Sequence, residues 1–281
     1  MDVSLCITTR NRPEDLAECL RVAGGSSIPL KQIVVSDDST DHRSRDLVRE
    51  QFPKVDYVEG PRKGLGPNRN SAIAAAHGDW ILFLDDDARL GVDFLKTLEP
   101  LIAAHAGEKI IYSGIEEQIR GKIFPRDQNF LGFQSRPYQA DEPLNTLVIN
   151  AALFPAEVCK TLLFDPRLIY GYDEVDIASR ARAAGWRILL CPEAINFHYP
   201  SETNRDYYKP HTESARIYVT FKKYYGAQRK PLKALAFLGI SLLHSCAHHL
   251  KTEGFRGLLS ALALHRSAWK QISAWQDEVR Q

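Results

Sequence analysis

Methionine occurs once in 281 residues and cysteine only five times. Cys6, Cys19, Cys159, Cys191 and Cys246 are odd in number, scattered, and make no C-x-x-C pair. That excludes a disulfide-dense scaffold and a structural zinc module, and reduced thiols of this kind fit a cytoplasmic protein. Charge of one sign is also lacking. Lys and Arg number 36 against 35 Asp and Glu, a formal net charge of +1, which argues against a general nucleic-acid-binding protein. Long apolar runs are missing too. The longest uncharged stretch, Ala234 to Leu250, holds His244, His248 and His249. It falls short of the roughly 20 apolar residues that a spanning helix needs. Met1 leads directly into a strand-like run, so no signal peptide is expected. There is no internal repeat and no low-complexity tract. What remains is an ordinary globular composition, 44% hydrophobic and 25% charged, enough for one large domain or one and a half.

The chain is organised around Trp80-Ile81-Leu82-Phe83-Leu84-Asp85-Asp86-Asp87. Five apolar residues run into three carboxylates, which reads as a strand buried on both faces with an acidic end. Side chains alternate along a strand, so Asp85 and Asp87 are expected on one side and Asp86 on the other. Two carboxylates together at a strand end suit a hard cation, Mg²⁺ or Mn²⁺. A solvated acidic turn would carry the same three letters.

The preceding residues supply context. Val3–Thr9 reads as a strand that stops at Arg10-Asn11-Arg12-Pro13. Pro13, with Glu14 and Asp15 behind it, opens a helix to about Ala23. A second strand, Gln32–Ser36, ends in Asp37-Asp38-Ser39-Thr40-Asp41, and a helix follows to Gln51. A short strand, Val55–Glu59, and a Gly/Pro/basic loop lead to an alanine-rich helix over Asn68–His77. Alternating strands and helices predict a mostly parallel, doubly wound α/β sheet. Ligands of such sheets bind at the carboxyl ends of the strands. Thr9-Arg10, Asp37-Asp38 and Asp85-Asp86-Asp87 all fall there. Further on, a helix to about His105, strands over Ile110–Glu117, Leu147–Phe154 and Trp186–Cys191, and a helix from Asp173 to Ala184 are expected. Arg120–Pro143 is irregular, and a long loop of that kind is usually functional or disordered.

These motifs, in this order, resemble family 2 glycosyltransferases of the GT-A fold. Val3–Arg12 is similar to the family's first strand and loop, and Ile33–Asp41 to its second strand end. Gly64-Leu65-Gly66-Pro67-Asn68-Arg69-Asn70 resembles its third element, and Asp85-Asp86-Asp87 its DxD metal site. Phe164-Asp165 through Gly171-Tyr172-Asp173-Glu174-Val175-Asp176 to Gly185-Trp186-Arg187 is similar to its acceptor-side acidic motif. The resemblance covers roughly residues 3–200. It implies a GT-A domain over 1–203, with a nucleotide-sugar half to about 115 and an acceptor half beyond. Residues 204–281 form a basic, amphipathic helical region.

The resemblance also implies roles. Thr9, Arg10, Asp37 and Asp38 would hold the nucleotide of a UDP-, GDP- or dTDP-linked sugar. Asn68 and Arg69, in the first turn of a helix, would favour its diphosphate. Asp85 and Asp87 would bind Mn²⁺ or Mg²⁺, with His198 completing the shell. Asp86 would reach the ribose or sugar. The family's acidic pair is usually Glu-Asp; here it is Asp173-Glu174, so the base position falls on Glu174, with Asp173 in reserve. Asp176 would bind acceptor hydroxyls or pin the loop. The activity implied is an inverting, metal-dependent transfer to a glycan or lipid-linked acceptor in surface polysaccharide synthesis, with the 120–143 loop contributing to donor choice. Two rivals share these acids. A sugar-1-phosphate nucleotidyltransferase would need a glycine-rich loop after the first strand, and Thr9-Arg10-Asn11-Arg12-Pro13 has no glycine. A non-catalytic binding protein would have eroded acids.

From Tyr207 to Tyr225 tyrosines interleave with Lys and Arg, and two helices are expected near 231–250 and 254–275. Phe255, Leu258, Leu259, Leu262 and Trp269 lie at helical spacing, with Arg256, Arg266 and Lys270 off that face. Packing on the sheet domain, or on a second subunit in a homodimer, would account for this pattern, and peripheral contact with the inner face of the plasma membrane is the alternative.

Overall fold

A computed structural model describes residues 1–139, 142–203 and 205–280, with the backbone alone for 205–210. Tyr207 and Tyr208 of the tyrosine-rich stretch therefore lie outside the described side chains. The first half runs β1 (Val3–Thr9), α1 (Pro13–Ala23), β2 (Gln32–Asp37), α2 (Arg43–Gln51), β3 (Asp56–Glu59), α3 (Leu65–Ala75) and β4 (Trp80–Asp85). The second half adds β5 (Ala88–Arg89), α4 (Phe94–Ala104), β6 (Ile110–Gln118), β7 (Gly121–Ile123), β8 (Arg126–Gln128), β9 (Gln134–Pro137), β10 (Ala152–Pro155), α5 (Ala156–Leu162), α6 (Asp173–Ala183) and β11 (Arg187–His198). Three long helices close the chain: α7 (Arg205–Lys222), α8 (Pro231–Glu253) and α9 (Arg256–Arg280).

The main sheet has the order β3-β2-β1-β4-β10-β6-β11-β5. Its first four strands are parallel. The expected parallel winding holds for them. Beyond β4 the sheet is mixed, because β10 runs antiparallel between β4 and β6 while β11 is parallel to β6. The expected strand over 147–154 is shorter than its apolar run suggests. A 3₁₀ turn at Ile149–Ala151 breaks it, and that turn carries Asn150 to the acidic end of β4.

Both faces of the central strands are covered, which is why they read as apolar runs rather than as alternating patterns. Leu5, Ile7, Leu82 and Leu84 point into a core shared with α1, α2 and α4. Cys6, Ile81 and Phe83 point into the opposite core, with α3, α5 and α6. In α1 the buried positions Leu16, Cys19, Leu20 and Ala23 follow helical spacing. The α6 helix begins with three acids and ends with Arg180 and Arg182, matching its dipole at both ends. A third core joins α7, α8 and α9 to Val175 of α6 and to Leu168.

Within the irregular 120–143 segment the described residues form β7, which returns along β6, and the hairpin β8–β9. The tip of the hairpin rests on the C-terminal helices. Phe130 stacks on Tyr224 at 6.1 Å, and Gln128 donates to the Thr220 hydroxyl at 3.2 Å.

Candidate active site

The parallel register brings three strand ends to one rim. Thr8 lies opposite Asp85, and Thr9 opposite Asp37. A cavity of about 420 Å³ opens at that rim, lined by Thr8, Thr9, Arg10, Arg12, Asp38, Asn68, Asp85, Asp87, Tyr170, His198 and Ser201 among others. A second cavity, of about 290 Å³, is lined by Glu116, Phe124, Arg126, Gln134 and Glu174. The 120–143 segment lines this second cavity. Among the described residues, none of this segment lines the first cavity.

The three aspartates part company. β4 ends at Asp85, and Asp86 and Asp87 sit in the turn that follows. Asp85 receives hydrogen bonds from Arg69 at 2.9 Å and from the Asn150 amide at 3.4 Å, while its own N–H donates to Asn150 at 2.8 Å. Asp87 accepts from Arg12 at 2.9 Å and from the Ser201 N–H at 2.9 Å. Burial raises the Asp87 carboxyl, but the His198 hydrogen bond and the Arg12 charge outweigh it and hold it at about 2. Asp86 turns inward from the turn and is fully buried. Thr9 donates to it at 2.7 Å, and Arg12 pairs with it at 2.8 Å. Burial pushes its carboxyl up to about 8 against the pull of Arg12. It presents no surface to a ribose or sugar. Its place is that of a buried anchor for Arg12, and the expected direct contact is corrected on that ground.

Other expected residues also take internal partners. Arg69 is almost fully buried, stands over the Phe164 ring, and bridges Asp85 to Asp173. It does not line the first cavity, so it ties two acid groups together where a diphosphate contact was expected. Asp37 is buried and accepts from the Ser39 N–H and the Tyr57 hydroxyl, whereas Asp38 lines the cavity. Burial raises the Asp38 carboxyl. Gly60 lies against both Asp38 and Asn68. A Cβ there would come within 2.2 Å of one side chain and 2.3 Å of the other, so any larger residue would push Asp38 and Asn68 from their places. Asn68 lines the cavity while its Oδ1 accepts from Ser36 at 2.6 Å. Asp176 is buried under Arg180 at 2.7 Å and Lys222 at 2.8 Å and lines neither cavity; of its two expected roles, the pinning one is what these contacts perform.

The acceptor-side acids enter through an unusual backbone. Gly171 and Tyr172 both have positive φ, 82° and 61°. For tyrosine that conformation is uncommon and costly. It turns the chain sharply into α6 and sets Asp173 and Glu174 at its first turn. Asp173 is buried against Arg69. Glu174 is half-buried in the second cavity and accepts from the Gln134 amide at 3.1 Å. Burial raises its carboxyl above the ordinary range.

His198 stands between the two cavities' acids. Its Nε2 lies 3.2 Å from Asp87 and its Nδ1 2.8 Å from Glu116. Burial works against its charge, but the hydrogen bonds to Asp87 and Glu116 raise it to about 10. Both ring nitrogens are thus engaged by carboxylates in the position where a third metal ligand was expected. Among the described residues, no group of three His, Cys, Asp or Glu is arranged to hold a metal ion alone.

Arg12, Glu116, Asn150 and Gln134 were not foreseen as site residues. Arg12 follows the polar end of β1, which was a signal. Asn150, Glu116 and Gln134 sit in stretches with no local motif, and only tertiary pairing brings them in.

A doubly wound sheet carries acids at adjacent strand ends, and Arg69 ties one of them, Asp85, to Asp173 of a second acid pair, which places the protein among α/β proteins with a cleft at the carboxyl ends of the strands. The model of glycosyl transferase family 2 matches residues 4–161, and the chain belongs to that family. It is a glycosyltransferase. It is 28% identical over 216 residues to the succinoglycan biosynthesis protein ExoM of Rhizobium meliloti, covering 73% of this chain and 68% of ExoM. Other relatives are longer, and the chain spans 31% of the poly(ribitol-phosphate) β-N-acetylglucosaminyltransferase TarS of Staphylococcus aureus, at 23% identity over 63% of its own length. The crystal structure of TarS 1–349 with UDP-GlcNAc superposes with a TM-score of 0.64 at 16% identity, covering 95% of this chain and 81% of that one. The mannosyltransferase PcManGT of Pyrobaculum calidifontis, in complex with GDP-Man and Mn²⁺, gives 0.57 at 17% identity, covering 96% and 86%. These structural likenesses establish the GT-A fold.

Proposed function

We propose that the protein transfers a sugar, with inversion, from a nucleoside-diphosphate sugar in the larger cavity to a hydroxyl of a growing glycan or lipid-linked glycan in the smaller one. The observation that carries this reading is the bridge made by Arg69. It locks Asp85, in the first cavity, to Asp173, the neighbour of Glu174 in the second. Donor-side and acceptor-side acids are thereby held in one rigid unit.

Thr9, Arg10, Asp38 and Asn68 would line the nucleotide and diphosphate. The carboxylates of Asp85 and Asp87 offer hard oxygen donors at the cavity wall, and Mg²⁺ or Mn²⁺ needs only one or two when phosphates supply the rest. Those residues fit such an ion. When bound, it would neutralise the charge that gathers on the departing diphosphate. Glu174 would take the proton of the acceptor hydroxyl. The acceptor oxygen bonds to the anomeric carbon as the bond from that carbon to the diphosphate oxygen breaks, and the leaving group carries away the electron pair. A single displacement inverts the anomeric centre. The raised carboxyl of Glu174 suits a base, whereas Asp173 is committed to Arg69. The name of ExoM supports a surface-polysaccharide acceptor.

The test is donor turnover with a panel of nucleotide sugars and Mn²⁺, with oligosaccharide acceptors, comparing the parent chain with Glu174→Gln. Product of inverted configuration from the parent, and a rate lower by about 10²–10⁴ from the variant, is expected. Full transfer by Glu174→Gln would reject this assignment of the base.

A further inference from the structure

The outer face of α8 and α9 takes no part in the site. On α8, Ala234, Phe237, Ser241 and Ser245 are buried toward the third core. The opposite side of a surface helix ordinarily carries polar residues. Here it carries Leu232 at 81% exposure, Leu235 at 59% and Leu243 at 71%, with Ile240 and Leu250 also exposed. No Lys, Arg, Asp or Glu lies between Lys233 and Lys251. The chain turns at Gly254, and α9 packs back on α8, His265 meeting Ser245 at 3.1 Å. Phe255, in the turn before α9, is 86% exposed, and on α9 Leu259 is 72% and Trp269 56% exposed. Single exposed leucines are normal, but a file of them along two packed helices is not.

The charge around this face is one-sided. Residues 229–276 contain seven Lys and Arg and a single acid, Glu253. Since the whole chain carries only +1, the remainder is net negative. Lys251 and Arg256 flank the turn, and Arg266 and Lys270 lie along α9, all exposed. No described helix is long and apolar enough to cross a membrane. Apolar helices with basic flanks and an exposed tryptophan suit the plane of an anionic bilayer surface. A second copy would set this basic face against another basic face, which like charge disfavours.

We propose that α8 and α9 dock this protein on membranes bearing anionic lipid headgroups, the leucine side seated among the acyl chains and the basic flanks among the headgroups. This stands independently of the transfer chemistry, because none of these residues lines either cavity.

The 281-residue chain is sedimented with vesicles of phosphatidylcholine alone or mixed with phosphatidylglycerol. Binding to the mixed vesicles is expected, about tenfold weaker to the neutral ones and falling as salt rises. Leu243→Gln combined with Leu259→Gln should lower binding about tenfold while circular dichroism and transfer to a soluble acceptor stay unchanged. No binding to the mixed vesicles overturns the proposal. So does a dimer, seen by sedimentation equilibrium, that the same double substitution dissociates while vesicles stay unbound. Undiminished vesicle binding by the double variant overturns it as well, since docking would then lie elsewhere.

Discussion

The Arg69 guanidinium joins Asp85 at the end of β4 to Asp173 at the start of α6, with only 1% of its side chain exposed. Two acids 88 positions apart in the chain share one buried cation. Removing that cation leaves a buried carboxylate without its counter-charge, which typically costs about 3–5 kcal/mol. Arg69→Met should lose stability of that order in urea unfolding. Arg69→Lys keeps the charge but not the planar fork that reaches both partners, so it should fold with a lower Tm and a reduced transfer rate. Parent-like stability in Arg69→Met would remove the bridge from the account.

Glu174 and Asp173 should separate cleanly. Glu174→Gln preserves shape and loses the base, so kcat should fall by about 10²–10⁴ with donor affinity retained. Asp173→Asn weakens the Arg69 pair, so its loss should show in stability. The pH profile adds a sign. A base works deprotonated, and burial raises the Glu174 carboxyl. Transfer should therefore decline, as pH falls, at a pH above the ordinary carboxylate range of about 4.3. A rate that holds down to that ordinary range would show that another group takes the proton.

Chelation tests the cation directly. With Asp85 and Asp87 as oxygen ligands, a chelator should abolish transfer, and added Mn²⁺ or Mg²⁺ should restore it. A nucleotide sugar at 100 times its Kd should stabilise the protein by about 2.7 kcal/mol. In thermal melts that gain should shrink in Asp85→Asn and in the absence of metal. Transfer indifferent to chelator would sink the metal reading.

Much of the fold was legible because its signals are local. The apolar runs of β1 and β4, Pro13 at the head of α1 and the acids at the strand ends each report on a few neighbouring residues. Local signals also carried the family. What escaped depends on partners far away. Nothing near Asn150 says that its amide will meet Asp85, and nothing near Gln134 says that its hairpin will reach Glu174. Arg69 looked like a phosphate contact because it lies in a helix's first turn. Only Asp173, brought in by α6 from 104 positions away, turned it inward. The antiparallel insertion of β10 was equally hidden, since a buried strand reads the same in either direction.

Asp165 joins α6 and the loop before it to the C-terminal helices. Asp165 is buried, accepts from the Tyr218 hydroxyl at 2.5 Å, and pairs with Lys222, which also reaches Asp176 at 2.8 Å. Burial raises the Asp165 carboxyl, but the Lys222 charge and hydrogen bonds from Lys222 and Tyr218 outweigh it and hold it well below the usual range. In the unfolded chain this carboxyl returns to about 3.9, so the unfolded state binds more protons at intermediate pH. The stabilisation is complete above that unfolded value and is lost as pH falls through the folded one. A linkage of this kind is on the order of 2 to 3 kcal/mol. Asp165→Asn should lower stability at neutral pH by about that amount and flatten the acid limb of the stability curve below about pH 4. Neither cavity contains Asp165, so the variant should keep nucleotide-sugar binding at low temperature. An acid limb as steep in Asp165→Asn as in the parent would place the linkage on other carboxylates.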